Sequence, residues 1–96
     1  MNDYILLMHD DAAPASAEKW TRYIALLQGS GRFAGGSSIG GGACYRKDAA
    51  HRAISAHLAG FIRVTALDLD DACTLLAGNP VYEAGGTVEI RELPRQ

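Results

Sequence analysis

Few side chains in this 96-residue sequence combine a reactive type with a placement that could use it. His9 closes the apolar run YILLMH and is followed at once by Asp10 and Asp11. A histidine titrates near neutral pH, and an adjacent aspartate can orient its ring, so His9 is a candidate general base. Arg63, Glu89 and Arg91 form a second set. Alternation in FIRVTAL and TVEIREL sends these three to the same side of nearby strands. Two guanidiniums around one carboxylate can hold a small carboxylate or similar anion. The same three can also make cross-strand ion pairs. His9, Arg63, Glu89 and Arg91 are therefore the ligand-binding candidates.

The remaining polar groups carry less. His51 and His57 are six apart, do not share a helix face, and have no cysteine pair at zinc spacing. They read as solvated, and no metal site is expected. Cys44 would be nucleophilic if Arg46 or Lys47 lowered its pKa, but a free cysteine is more often a small buried hydrophobe. Cys73 falls on an apolar helix face and is expected in the core. The Gly40–Gly42 run leads into ACYRK rather than a helix, so it lacks the context of a nucleotide loop, and no cofactor is expected.

Net charge is −2 at neutral pH, so there is no basic surplus for phosphate contacts and nucleic acid is not an expected partner. No stretch approaches the roughly 20 apolar residues of a membrane span. Two isolated cysteines, with no basic segment before the first apolar run, point to a reduced, cytoplasmic protein. The length suits one domain, 1–96, near the size at which association with a second copy helps.

The elements that must position these residues follow from periodicity. YILLMH, 4–9, has strand length and no alternation, so both its faces should be covered. ASAEKWTRYIALLQGSG has helix period. Ser16 is its N-cap, Glu18 sits in the first turn, Trp20, Tyr23, Ile24 and Leu27 make one apolar face, and Gly29 or Gly31 stops it. Seven of the eleven glycines lie in 29–42. An irregular strand is expected around 32–39, with a second extended piece around 43–47. Residues 48–60 have helical propensity, with Asp48 a possible cap. FIRVTAL is a strand whose Ile62, Val64 and Ala66 oppose Phe61, Arg63, Thr65 and Leu67. DLDDACTLLAG is a helix capped by Asp68, with Leu69, Ala72, Cys73 and Leu76 inward. TVEIREL closes the chain, with Val88 and Ile90 opposite Thr87, Glu89, Arg91 and Leu93.

The order β-α-β-insert-β-α-β is that of an α+β, ferredoxin-like βαββαβ fold. Helices cover only one face of such a sheet. The other face mixes apolar residues with Arg63, Glu89 and Arg91, which a second copy of the sheet would cover while leaving a polar interior. The link NPVYEAGG is long for a helix-to-strand connection, usually about 2–6 residues. Pro80 is expected to stop the preceding helix and Gly85-Gly86 to permit sharp entry into the last strand. Pro80, Val81 and Tyr82 are expected to form a plug and dimer contact, with the Tyr82 hydroxyl paired at the interface; the alternative places Tyr82 in a ligand cleft.

The chain resembles the YCII-related superfamily and, within it, the DGPF-domain proteins. YILLMH looks like the opening strand, W..Y...L..SG.F.GG like the first helix and second strand, HLAGFIRVTALDLDDA like the central QLGGFYLIEVDDLDEA pattern, and GTVEIREL like the closing strand. The resemblance implies a ferredoxin-like monomer that pairs into a dimeric α/β barrel, and an extended loop over much of 48–60. Two departures stand out. The DGPF tetrad falls on Asp48, Ala49, Ala50 and His51, so only Asp48 matches. The His–Asp pair proposed for relatives falls on Trp20 and Gly29, which cannot move a proton.

The resulting expectation is a cytoplasmic homodimer that binds a small anionic molecule in a cleft of the dimeric barrel. The competing expectations are a small lyase, isomerase or hydrolase with His9 as base, and a regulatory interaction module.

Overall fold

Tyr4, Leu6 and Met8 alternate along the first strand and are buried almost completely. That alternation is stronger than the unbroken apolar run announced, because the intervening Ile5, Leu7 and His9 are only half-buried. The computed structural model describes residues 1–95. Its elements are β1 (Asn2–His9), α1 (Ala17–Gly29), β2 (Phe33–Ser38), β3 (Leu58–Ala66), α2 (Leu69–Thr74), α3 (Pro80–Glu83) and β4 (Val88–Leu93). The strands form one sheet in the order β2-β3-β1-β4, with every neighbouring pair antiparallel. This is the ferredoxin-like arrangement, with the short α3 added before the last strand.

One face of the sheet carries the core. Tyr4, Leu6, Met8, Ile62, Val64 and Ala66 meet Tyr23 and Leu27 of α1 and Ala72 of α2. Trp20, Ile24, Phe33, Leu75, Val81, Val88 and Ile90 pack around them. Ser16 caps α1, its Oγ accepting from the Lys19 N–H at 3.3 Å. The Tyr23 hydroxyl donates to the Leu75 carbonyl at 2.7 Å and so ties α1 to the end of α2. The Asp68 carboxylate caps α2 through the Asp71 N–H at 2.8 Å, and Arg32 holds Asp71 at 2.8 Å.

Several expectations need correcting. Residues 43–47 form no strand. Residues 39–57 run as one long loop without a helix, as the resemblance implied and helical propensity did not. Cys73 is exposed rather than buried, and Leu69 is exposed too. Ala72 is the buried residue of the six-residue α2, and Leu75 and Leu76, just beyond its end, are enclosed where Leu69 and Cys73 were expected to be. Pro80 does not stop that helix. That helix ends at Thr74 with Leu75 as its C-cap, a turn through Gly78 (φ +87°) follows, and Pro80 opens α3, where its missing N–H costs nothing. The glycines of β2 do serve a close approach. The register shifts between Phe33 and Gly36, and a Cβ at Gly36 would sit 2.5 Å from the Phe61 carbonyl oxygen.

Candidate functional site

His9 ends β1, where the register with β3 shifts between Met8 and His9. Its own N–H donates to the Thr87 carbonyl at 2.9 Å, which fixes the backbone beside the start of β4. The ring is three-quarters or more enclosed, and Nε2 lies 3.1 Å from Glu89 Oε1. The other Glu89 oxygen accepts from the Arg91 guanidinium at 3.1 Å. The bond from Arg91, and then that from His9, holds the Glu89 carboxyl below its usual range. A carboxylate only accepts, so Nε2 carries the hydrogen of a neutral His9 ring and Nδ1 keeps the lone pair.

The orienting carboxylate is therefore Glu89, and not either aspartate that follows His9 in sequence. Asp11 is committed elsewhere. It accepts from the Thr87 N–H at 2.8 Å and from the Thr87 hydroxyl at 2.6 Å, bonds that lower its pKa. Asp10 is exposed, and its backbone N–H donates to the His57 carbonyl at 2.7 Å. The strand register explains the choice. Leu7 is paired with Glu89 on β4, so Glu89 and His9 project from the same face two residues apart on adjoining strands.

A cleft of about 560 Å³ opens at this end of β1. Met8, Trp20, Ile24, Phe33, Ile62 and Val81 supply its apolar lining, and Phe61 contributes from β3. The polar lining is His9, Asp10, Ser37 and Ser38, with the loop Ala12–Ala15 on one rim. Among the described residues no lysine or arginine lines it. A second hollow, about 800 Å³, lies along α1 and α3. Among the described residues its one carboxylate, Glu83, already accepts from the Gly78 N–H at 3.0 Å, and no histidine or cysteine lines it.

The four candidate binding residues are thus divided. His9 lines the cleft, Glu89 holds His9, and Arg91 holds Glu89. Arg63 stands apart: it and Arg91 flank Ile5 in one cross-strand row of the sheet face that no helix covers. Both arginines are exposed in the single chain. Among the described residues Arg63 has no ion-pair partner within 4 Å. Of the link residues, Pro80 is buried, Val81 lines the cleft, and Tyr82 is 49 % exposed.

Sequence reasoning missed two participants. Trp20, noted only as a core residue in a position where relatives have a histidine, forms part of the cleft wall. His57, read as solvated, is exposed but sets its ring edge-on to His9, with centroids 4.8 Å apart. The position of His57 one residue before β3 was the available signal, since that strand end meets the end of β1 in an antiparallel pair. No group of three or more metal-ligating side chains occurs among the described residues. No helix among them is long and apolar enough to cross a membrane.

No family model matches the sequence, and no curated protein does. Among solved structures, the chain is similar to 5-chloro-2-hydroxyhydroquinone dehydrochlorinase (TftG) from Burkholderia phenoliruptrix AC1100, in complex with 2,5-dihydroxybenzoquinone. The TM-score is 0.60 at 13 % identity, over 98 % of this chain and 95 % of that one. At that identity the likeness concerns the fold.

Proposed function

We propose that the protein binds a small molecule with an apolar ring or chain and one acidic hydroxyl or carboxyl group, in the cleft at the end of β1. The observation that carries this is His9, its ring fixed by Glu89, among the lining residues of a largely apolar, aromatic-walled cleft. An apolar lining with a few placed polar groups is the usual composition of a small-molecule site. A neutral His9 accepts the ligand's proton or hydrogen bond at Nδ1, and the charged ring that results is balanced by Glu89. Ser37 and Ser38 line the same cleft, the Ser37 hydroxyl donating to the Ser38 carbonyl at 2.9 Å. The dehydrochlorinase of similar fold is bound to 2,5-dihydroxybenzoquinone, a small oxygenated ring, which supports the same class of ligand here.

This reading moves the anion's partner from the arginines to His9. Arg91 acts through Glu89, and Arg63 belongs to the open sheet face. The half-buried Ile5, Leu7, Phe61 and Leu93 of that face support a homodimer in which a second sheet covers it, with the Tyr82 region at its margin. Membership of the YCII-related superfamily is part of the same proposal, supported by the strand-by-strand resemblance and the ferredoxin-like topology.

Trp20 is the sole tryptophan and lies in the cleft wall, so its fluorescence reports occupancy. Titration with 2,5-dihydroxybenzoquinone and with benzoate, checked by calorimetry, should give saturable binding. His9→Ala should weaken binding of the acidic probes on the order of tenfold, the usual scale for a charge-assisted hydrogen bond of about 1.5 kcal/mol or more. No saturable binding by any acidic ring, or equal binding to His9→Ala, would refute the proposal.

A second reading is favoured by one specific feature. Glu89 fixes Nε2, which leaves Nδ1 as an oriented base of the kind a lyase, isomerase or hydrolase uses. Turnover of a hydroquinone-type compound that disappears in Glu89→Gln while binding persists would establish it. Binding without turnover would leave the protein a binding module.

A further inference from the structure

The long loop between β2 and β3 is unlike the rest of the chain. It runs from residue 39 to 57 and has no helix or strand. Connections of this length without regular structure are uncommon in compact domains and are often functional. Among the described residues, backbone bonds pin it at its two ends only, from the Ile39 N–H to the Ala59 carbonyl and from the Asp10 N–H to the His57 carbonyl. Inside it, the Cys44 thiol reaches the Ala53 carbonyl at 3.5 Å, and Tyr45 lies edge-on to His51 at 5.0 Å. Tyr45 is nonetheless 78 % exposed, and Ile54 is 40 % exposed. The loop holds Arg46, Lys47 and Arg52 against Asp48 alone, a net charge of +2 in a chain whose total is −2. The remainder of the chain is therefore at −4.

A patch of the opposite character sits at the other end of β3. Leu67 is 65 % exposed and Leu69 is 55 % exposed, side by side with Asp68 and Asp70 at the start of α2. Asp68 caps the helix. Asp70 makes no hydrogen bond or ion pair among the described residues, and neither do Arg46, Lys47 or Arg52. One surface is thus apolar and basic, the other apolar and acidic. β3 separates them, with nine residues at about 3.3 Å each, roughly 25 Å or more.

We infer that the 39–57 loop of one copy clasps the Leu67–Asp70 corner of a second copy, with Tyr45 and Ile54 against Leu67 and Leu69 and the loop's cations against Asp70. When two copies lie antiparallel, the loop end of each β3 meets the corner end of the other. Both contacts form together and close the pair by two-fold symmetry, so no open chain of copies results. The clasp rests on the homodimer proposed above and adds to it a contact outside the sheet faces. Charge complementarity of this kind sets orientation and suppresses wrong partners.

Sedimentation equilibrium of the full chain at low salt tests it by charge exchange. Arg46→Glu with Lys47→Glu should raise the dimer dissociation constant on the order of tenfold, because attraction becomes repulsion at each of two equivalent contacts. Asp70→Lys alone should do the same, and the three substitutions together should restore most of the lost affinity. These residues are exposed, so circular dichroism should show each variant folded; if Asp70→Lys is not, loss of the salt dependence in the loop variant decides. A dimer indifferent to both exchanges, or one not rescued by their combination, overturns the clasp and leaves sheet pairing standing. A chain that stays monomeric at tens of micromolar overturns both.

Discussion

Replacing Asn79 by alanine should loosen one wall of the cleft through a residue that does not itself line it. Asn79 is fully buried at the start of α3. Its Oδ1 accepts from the Val81 N–H at 3.0 Å and the Tyr82 N–H at 3.1 Å, which satisfies two donors that a four-residue helix cannot satisfy itself. Each such bond contributes about 1 kcal/mol net, so their loss costs roughly 2 kcal/mol. One effect opposes this. The Asn79 amide nitrogen lies near the Tyr23 hydroxyl but has no well-formed partner among the described residues, and removing that bare buried donor returns about 1 kcal/mol. The balance is a loss of about 1 kcal/mol, within the range for N-cap removal. For a domain of this size that is a fall in melting temperature of roughly 4–8 °C. Val81 lines the cleft from the same helix, so probe affinity should fall as well. Urea unfolding followed by circular dichroism measures the first effect and Trp20 titration the second. Asn79→Ser, which keeps an acceptor at the cap, should recover about half of the stability. A loss under roughly 0.5 kcal/mol in Asn79→Ala would refute the reasoning, since the relieved donor would then cancel most of what the two bonds contribute.

Gly86→Ala should destabilise more than its size implies, because the added Cβ would lie 2.7 Å from both Ala12 Cβ and Val81 Cγ1, pressing the cleft rim and α3 apart. A cost of about 1–3 kcal/mol is expected in urea unfolding, as for other overpacked sites, and an unchanged midpoint would show that the rim gives way freely. Acid should also loosen the end of β1. Bonds from Thr87 hold the Asp11 carboxyl below its ordinary value of 3.8, so this stabilisation is complete above that value and is lost as pH falls through the lower, folded one. Thr87→Val removes the hydroxyl bond, so its deficit relative to the native chain should be present at pH 7 and shrink below about pH 4 in a pH series of urea midpoints; a deficit that does not change with pH would place the effect in packing.

Much of the fold was legible because it depends on local spacing. Ser16 before a Trp20, Tyr23, Ile24, Leu27 stripe specifies α1, and the alternation of FIRVTAL and TVEIREL specifies which side of β3 and β4 faces the helices. Periodicity determines orientation wherever one face must leave water. It failed at α2, where the expected stripe includes Leu69 and Cys73 but the helix turns Ala72 to the core and leaves those two exposed. It failed again at Pro80, where a residue that breaks helices in mid-course instead begins one.

The candidate site was only half legible. His9 could be chosen from its type and its place at a strand end. Its partner could not, because Asp10 and Asp11 are adjacent in sequence while Glu89 lies eighty positions away. Only the antiparallel pairing of β1 with β4 brings Glu89 to the ring, and only the Thr87 hydrogen bonds take Asp11 out of contention. Likewise nothing local distinguishes Arg63 from Arg91, which share a face; their strands' order puts Arg91 beside Glu89 and Arg63 on the far side of β1. Residue type and period, both local, decide which groups are available and which way each strand faces. Which groups meet is decided by register between strands distant in sequence, and that exists only once the sheet has formed.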